Sequence, residues 1–152
     1  MPVRDSIHPL VKQALIKNGW QITNDPYVIS FGERFLFVDL GAIDNRIMQG
    51  GFIAAELKGR QIAVEIKEFR GKSAIADLEQ AIGQYVLYRM LLDRVDPERE
   101  LYLAISDVTY DDLFREPIGE LVVQDLPLKL IVVDLSRMEI KQWIPSRPIE
   151  KF

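Results

Sequence analysis

The chain has 152 residues, 48% of them hydrophobic, which is enough for one ordinary domain with a buried core. It contains no cysteine and one histidine, His8, so disulfide frameworks, thiolate zinc sites and histidine cages are excluded and any metal must be held by oxygen. The formal net charge of −4 argues against a sequence-independent nucleic-acid coat, yet it leaves room for a nuclease, because a divalent cation offsets carboxylates where the phosphate sits.

Asp5 is placed to cap a helix over residues 6–18, with Ile7, Leu10, Val11, Ala14 and Leu15 on one face and Gly19 as its stop. Trp20 and Ile22 alternate with polar neighbours, and Asn24-Asp25-Pro26 makes a turn. Two β-rich runs, 27–31 and 35–40, joined at Gly32-Glu33-Arg34, predict a hairpin. Residues 41–51 lack a clean period and end in Gly50-Gly51, which predicts a loop or irregular insertion. Strands are expected to resume over 52–57 and 61–69, with Lys58-Gly59 turning between them.

Ser73 as N-cap and Asp77 in the first turn open the longest helix, with Ile75, Leu78, Ile82, Tyr85, Arg89 and Leu92 at helical spacing and Asp96-Pro97 as its end. A strand over 101–105 follows, then a helical stretch around 111–125 interrupted near Pro117 and Gly119, then strands over 130–135 and 140–144. The order predicts one α/β domain across 1–152, a central mixed β-sheet with helices on its faces. No apolar run approaches a membrane span and no signal-peptide core is evident at the start, so a cytoplasmic protein is expected.

The chemistry concentrates in residues 62–69. Ile62, Val64 and Ile66 share one face of a strand, so Glu65 and Lys67 project from the other, side by side. Such alternation also suits a half-exposed strand whose charges only pair with neighbours. What favours chemistry is Asp39, 26 positions upstream, an acid at the end of the apolar run 35–38 that needs a partner or a metal. Two carboxylates are sufficient for Mg²⁺ or Mn²⁺, which take their other ligands from water and phosphate. Asp39 and Glu65 are therefore the candidate ligands, and Lys67 the amine that orients the attacking water or stabilises developing charge.

On the following helix Gln80, Gln84 and Tyr88 recur every four residues and could border this site, although the same stripe suits a solvent face. Arg70 and Lys72, just before a helix N-terminus, are candidate phosphate contacts or plain loop charges. His8 is a candidate contact to phosphate or metal-bound water, or a packing residue.

Asp39, Glu65-x-Lys67 and Gln84-x-x-x-Tyr88 resemble the RecB-type branch of PD-(D/E)XK nucleases over residues 35–90. Over nearly the whole chain, Lys17-Asn18-Gly19-Trp20, Val38 to Ala42, Ile62 to Lys67, Ser73 to Asp77 and Gly83 to Arg89 resemble the XisH family, described as fdxN element excision controlling factors. The resemblance implies a restriction-endonuclease-like core acting on DNA, programmed DNA excision beside a site-specific recombinase, and a XisI-type companion. Two departures stand out: Val38 replaces the proline of the nuclease pattern, and Glu56 lies between Asp39 and Glu65 as a rival acid. An accessory factor that binds DNA, a recombinase or the companion without catalysis is the alternative, and a homodimer is expected by analogy with small nuclease folds.

Overall fold

The computed structural model describes residues 6–44 and 60–146. Helix α1 (His8–Lys17) forms where Val11, Ala14 and Leu15 recur on one face, and all three are buried. Gly19, at φ 99°, turns the chain out of the helix. Strand β1 (Trp20–Asn24) follows, and then β2 (Tyr27–Phe31) and β3 (Arg34–Val38) form a separate two-stranded hairpin turned at Gly32, φ 61°.

The run expected as one strand over 35–40 is broken at Asp39, because the chain leaves the hairpin there and enters the main sheet as β4 (Leu40–Asp44). The expected loop is thereby corrected over 41–44. β4 is paired on both edges and buried on both faces, so its apolar pattern is continuous and shows no period of two. Gly41 is small for a reason: a β-carbon there would lie 2.9 Å from the Tyr27 ring and 3.0 Å from Asn24 Oδ1. The expected strand at 52–57, the Lys58-Gly59 turn and Glu56 lie outside the described residues.

Strand β5 (Gln61–Ile66) ends three residues earlier than the 61–69 run suggested. Helix α2 (Ala74–Val95) begins as expected at Ser73, whose Oγ accepts the Ala76 N–H at 3.1 Å, while Asp77 accepts the Gly71 N–H at 2.8 Å. Strand β6 (Arg99–Ser106) leads into α3 (Asp107–Thr109), a π-helical turn over Tyr110–Phe114, and α4 (Pro117–Asp125). The chain closes on β7 (Leu130–Asp134) and β8 (Glu139–Ile144).

The six-stranded sheet runs β1-β4-β5-β6-β7-β8, with β5, β6 and β7 parallel and the other pairs antiparallel. One face packs on α1 through Trp20, Leu40, Ile62, Val64, Ile66 and Ile131. The other packs on α2, the π-turn and the inner side of the hairpin through Ala63, Leu103, Tyr85, Phe114 and Ile29. The fold is thus mixed α/β, with a mixed sheet between helices. No helix among the described residues is long and apolar enough to cross a membrane.

Candidate active site

The central position of β5 decides where its side chains go. Ile62, Val64 and Ile66 pack toward α1, so Ala63 and Glu65 point toward α2, and Glu65 is only 8% exposed. Its carboxylate is carried on a buried face rather than into solvent.

Asp39 reaches the same place by a backbone accident. Leu40 pairs with Val64, so the ladder ends just where Asp39 comes level with the C-terminal end of β5. There Asp39 Oδ2 accepts the Ile66 N–H at 2.7 Å, doing with a side chain what the next strand carbonyl would have done. The carboxylate is held by this charge-assisted bond.

Tyr88 on α2 completes the group. It is 8% exposed, and its phenol is pushed up to about 12 by burial first, and then by the negative charges of Glu65 and Asp39. Both carboxylates therefore act on one hydroxyl, which stays protonated at neutral pH and available as a donor. Lys67 follows directly: its backbone N–H bonds Ala104 O at 3.1 Å, and its ammonium donates to Gln80 Oε1 at 2.6 Å. Gln84 is partly buried one turn along the same helix face, between Gln80 and Tyr88.

The remaining candidates lie around this centre or away from it. Arg70 and Lys72 are exposed in the connection from β5 to α2, Arg70 lying 3.6 Å from Glu68. Glu68 also accepts Ser6 Oγ at 2.6 Å, which ties the start of α1 to this connection. His8 is buried, with Nε2 2.9 Å from Asp25 Oδ1, while Lys12 Nζ takes the other Asp25 oxygen at 2.8 Å. The polar partner of His8 is thus a carboxylate in the turn before the hairpin.

Sequence reasoning missed two contacts, the hold of Gln80 on Lys67 and that of the Ile66 N–H on Asp39. Gln80 was visible as a member of the every-fourth-residue stripe; the backbone contact left no signal, because it depends on where the strand breaks.

The donor chemistry fits a hard divalent cation. Asp39 and Glu65 offer only oxygen, and no group of three or more metal-binding side chains converges among the described residues. A cation held here would need its other ligands from water and phosphate, the habit of Mg²⁺ and Mn²⁺ rather than of structural zinc.

Comparison with known proteins adds a lineage to this geometry. The family model described as XisH protein matches residues 1–141. Two crystal structures are similar in fold: an XisH family protein from Nostoc punctiforme PCC 73102, 37% identical, covering 91% of this chain and 98% of its own with a TM-score of 0.78; and an fdxN element excision controlling factor protein from Anabaena variabilis, 38% identical, covering 93% and 99% with a TM-score of 0.78. No curated protein matches.

Proposed function

Because the chain belongs to the XisH family, we propose that it is a metal-dependent, endonuclease-like protein with a PD-(D/E)XK-type core, acting on DNA phosphodiesters in the controlled excision of a DNA element. The observation that carries this reading is the placing of Asp39, fixed by the Ile66 N–H, with the buried Glu65 and Lys67 at the carboxyl end of a central strand, where the charges of both acids are felt by the Tyr88 phenol. Open α/β sheets bind ligands at that end of their strands. The role in excision comes from the relative named as an fdxN element excision controlling factor, and a recombinase and a XisI-type companion are the partners that the family resemblance implies.

In this reading Asp39 and Glu65 would hold Mg²⁺ or Mn²⁺, which would supply charge neutralisation at the scissile phosphate and lower the pKa of a water. The Ile66 N–H presets the Asp39 carboxylate, so little reorganisation is needed. Lys67 orients the attacking water or meets the developing charge, and Gln80 sets its resting position. Tyr88 donates a hydrogen bond, Gln84 borders the phosphate path, and Arg70 and Lys72 meet flanking phosphates beside the α2 N-terminus. His8, occupied with Asp25, stays outside this assignment.

The second reading is a silent accessory factor, favoured by the net charge of −4, which weakens any hold on DNA that is not focused by a metal. The deciding experiment is cleavage of supercoiled, branched and single-stranded DNA with Mg²⁺ or Mn²⁺, with and without the companion, alongside calorimetric metal binding. Metal-dependent nicking that Lys67→Ala lowers by about 10²–10³-fold is expected. Metal binding lost in Asp39→Ala/Glu65→Ala without nicking under any condition selects the accessory role, and absent metal binding sinks the site itself.

A further inference from the structure

A cavity of about 350 Å³ opens between the π-turn, α4 and the end of β8, and none of the candidate-site residues lines it. Ile144 and the rings of Tyr110 and Phe114 form its apolar wall, the rings lying 8° from parallel with centroids 6.5 Å apart. Helix α4 supplies the rest. Glu120, Val123 and Gln124 are three and four residues apart, so one helix face turns all three inward. None of the polar groups in this lining is committed elsewhere: the Tyr110 hydroxyl, the Glu120 carboxylate and the Gln124 amide make no hydrogen bond or ion pair among the described residues.

We propose that this cavity takes an arginine side chain from a partner polypeptide. Ligand cavities run from about 300 to 1,000 Å³, so this one holds a single side chain rather than a larger group. Its lining decides the chemistry. Every polar group in it can accept a hydrogen bond and none is a cation, which rejects phosphate and carboxylate and suits a ligand rich in donors. An apolar side chain seated here would strip water from Glu120 and Gln124 and return no hydrogen bond. Arginine carries its donors in a planar fork that grips a carboxylate with two bonds and stacks on aromatic rings, and its apolar stem suits Val123 and Ile144. The surroundings have the matching sign. Residues 107–125 hold six acids against the single Arg115, a balance of −5 in a chain whose whole balance is −4. Lys141 and Arg115 pair with Asp107 and Asp111, and the other four acids, Glu120 among them, form no ion pair among the described residues. The cavity sets the place and this charge sets the partner, a basic segment rather than a nucleic acid. Leu121, three residues before Gln124 on α4, is 54% exposed and offers apolar contact to the residues that flank the arginine.

Nitrogen-15 NMR of the full chain, titrated with acetyl-leucyl-arginyl-leucyl amide, tests this. Saturable shifts of the Tyr110, Glu120 and Gln124 amides are expected, and Glu120→Gln weakens the affinity at least about tenfold, the worth of a charge-assisted hydrogen bond. Glu116→Gln takes the same charge from the same segment outside the lining, and leaves the affinity within about threefold. Gln124→Met, which keeps the bulk and removes the acceptor, weakens binding by about threefold or more and decides the matter even if Glu120→Gln does not fold. The peptide with citrulline for arginine, close in shape but uncharged, does not bind. No saturable shift at these residues, equal losses from Glu116→Gln and Glu120→Gln, or equal binding of the citrulline peptide overturns the proposal. So does arginine amide binding as tightly as the peptide, which assigns the cavity to a free small molecule, or saturation of the same signals by thymidine 5′-monophosphate, which assigns it to a nucleotide.

Discussion

Glu65 and Tyr88 are a buried acid and a buried phenol within electrostatic reach of each other, and the free-energy consequence falls on whichever would carry the extra charge. A second negative charge beside Glu65 and Asp39 is resisted, so Tyr88 ionises at about 12 instead of 10.0. The sign follows from linkage: with the native value raised, the unfolded chain ionises first, and this residue's contribution to stability is whole below 10 and lost as pH climbs toward 12. Absorbance at 295 nm near pH 11, with Tyr88→Phe to assign the signal, should find Tyr88 largely un-ionised; Glu65→Gln should bring its midpoint down, though not to 10.0, because burial is the larger cause. A midpoint indifferent to Glu65→Gln would separate the two groups and dissolve the site. How much of this was legible differs by residue. The alternation of Ile62, Val64 and Ile66 was enough to put Glu65 and Lys67 on one face. Nothing local could show that His8 pairs with Asp25, 17 positions away, since that contact is made by two elements meeting.

At the scale of elements, what the sequence shows clearly is local and what it hides is set by neighbours. The Ser73 cap, the α2 stop at Asp96 and the hairpin turn at Gly32 rest on chemistry within a few residues, and all stand where expected. The strand β4 was hidden because a strand covered on both faces has no polar alternation, and its Gly41 looks like a breaker until the Tyr27 ring is seen against it. The helical start at Asp107, four residues before 111, was signalled by Ser106, whose Oγ accepts the Thr109 N–H at 3.1 Å. Gly119 does not interrupt the helix; it lies inside α4, and its role is close approach. A β-carbon there would collide with the Leu113 carbonyl oxygen and the Phe114 Cα, both backbone atoms that no rotamer change can move aside. Gly119→Ala should therefore cost about 1–3 kcal/mol by overpacking, against the gain expected for alanine over glycine in an open helix. Urea denaturation measures it; a neutral or stabilising result would mean that α4 shifts freely on the π-turn. Gly83, in α2 with open space where its β-carbon would stand, is the control expected to gain.

Across the whole molecule the charges divide between the two ends of the parallel strands. The candidate site occupies the carboxyl end of β5, while the starts of β5, β6 and β7 are tied by ion pairs. Glu100 takes Arg60 at 3.1 Å and Lys129 at 3.3 Å, joining the leads into all three strands. Asp96 takes Arg99 at 2.8 Å and the Tyr27 hydroxyl at 2.8 Å, joining the end of α2 to β6 and the hairpin, and Arg99 also donates to Ile62 O and lies over the Tyr27 ring. Burial works against ionising both acids, yet Arg99 and Tyr27 at Asp96, and Lys129 and Arg60 at Glu100, outweigh it and hold both carboxyls below their ordinary 3.8 and 4.5. Depressed native values mean that the unfolded chain binds protons more readily, so these groups stabilise fully above about pH 4.5 and lose that contribution as pH falls through 4 and below. Asp96→Asn and Glu100→Gln should each lower the urea midpoint at neutral pH, with the gap to the wild type narrowing as pH falls below the ordinary carboxyl range and the native carboxyl protonates too. A gap of constant size from pH 7 to 3 would show that the side chains act by packing alone, and that this end of the sheet is not held by charge.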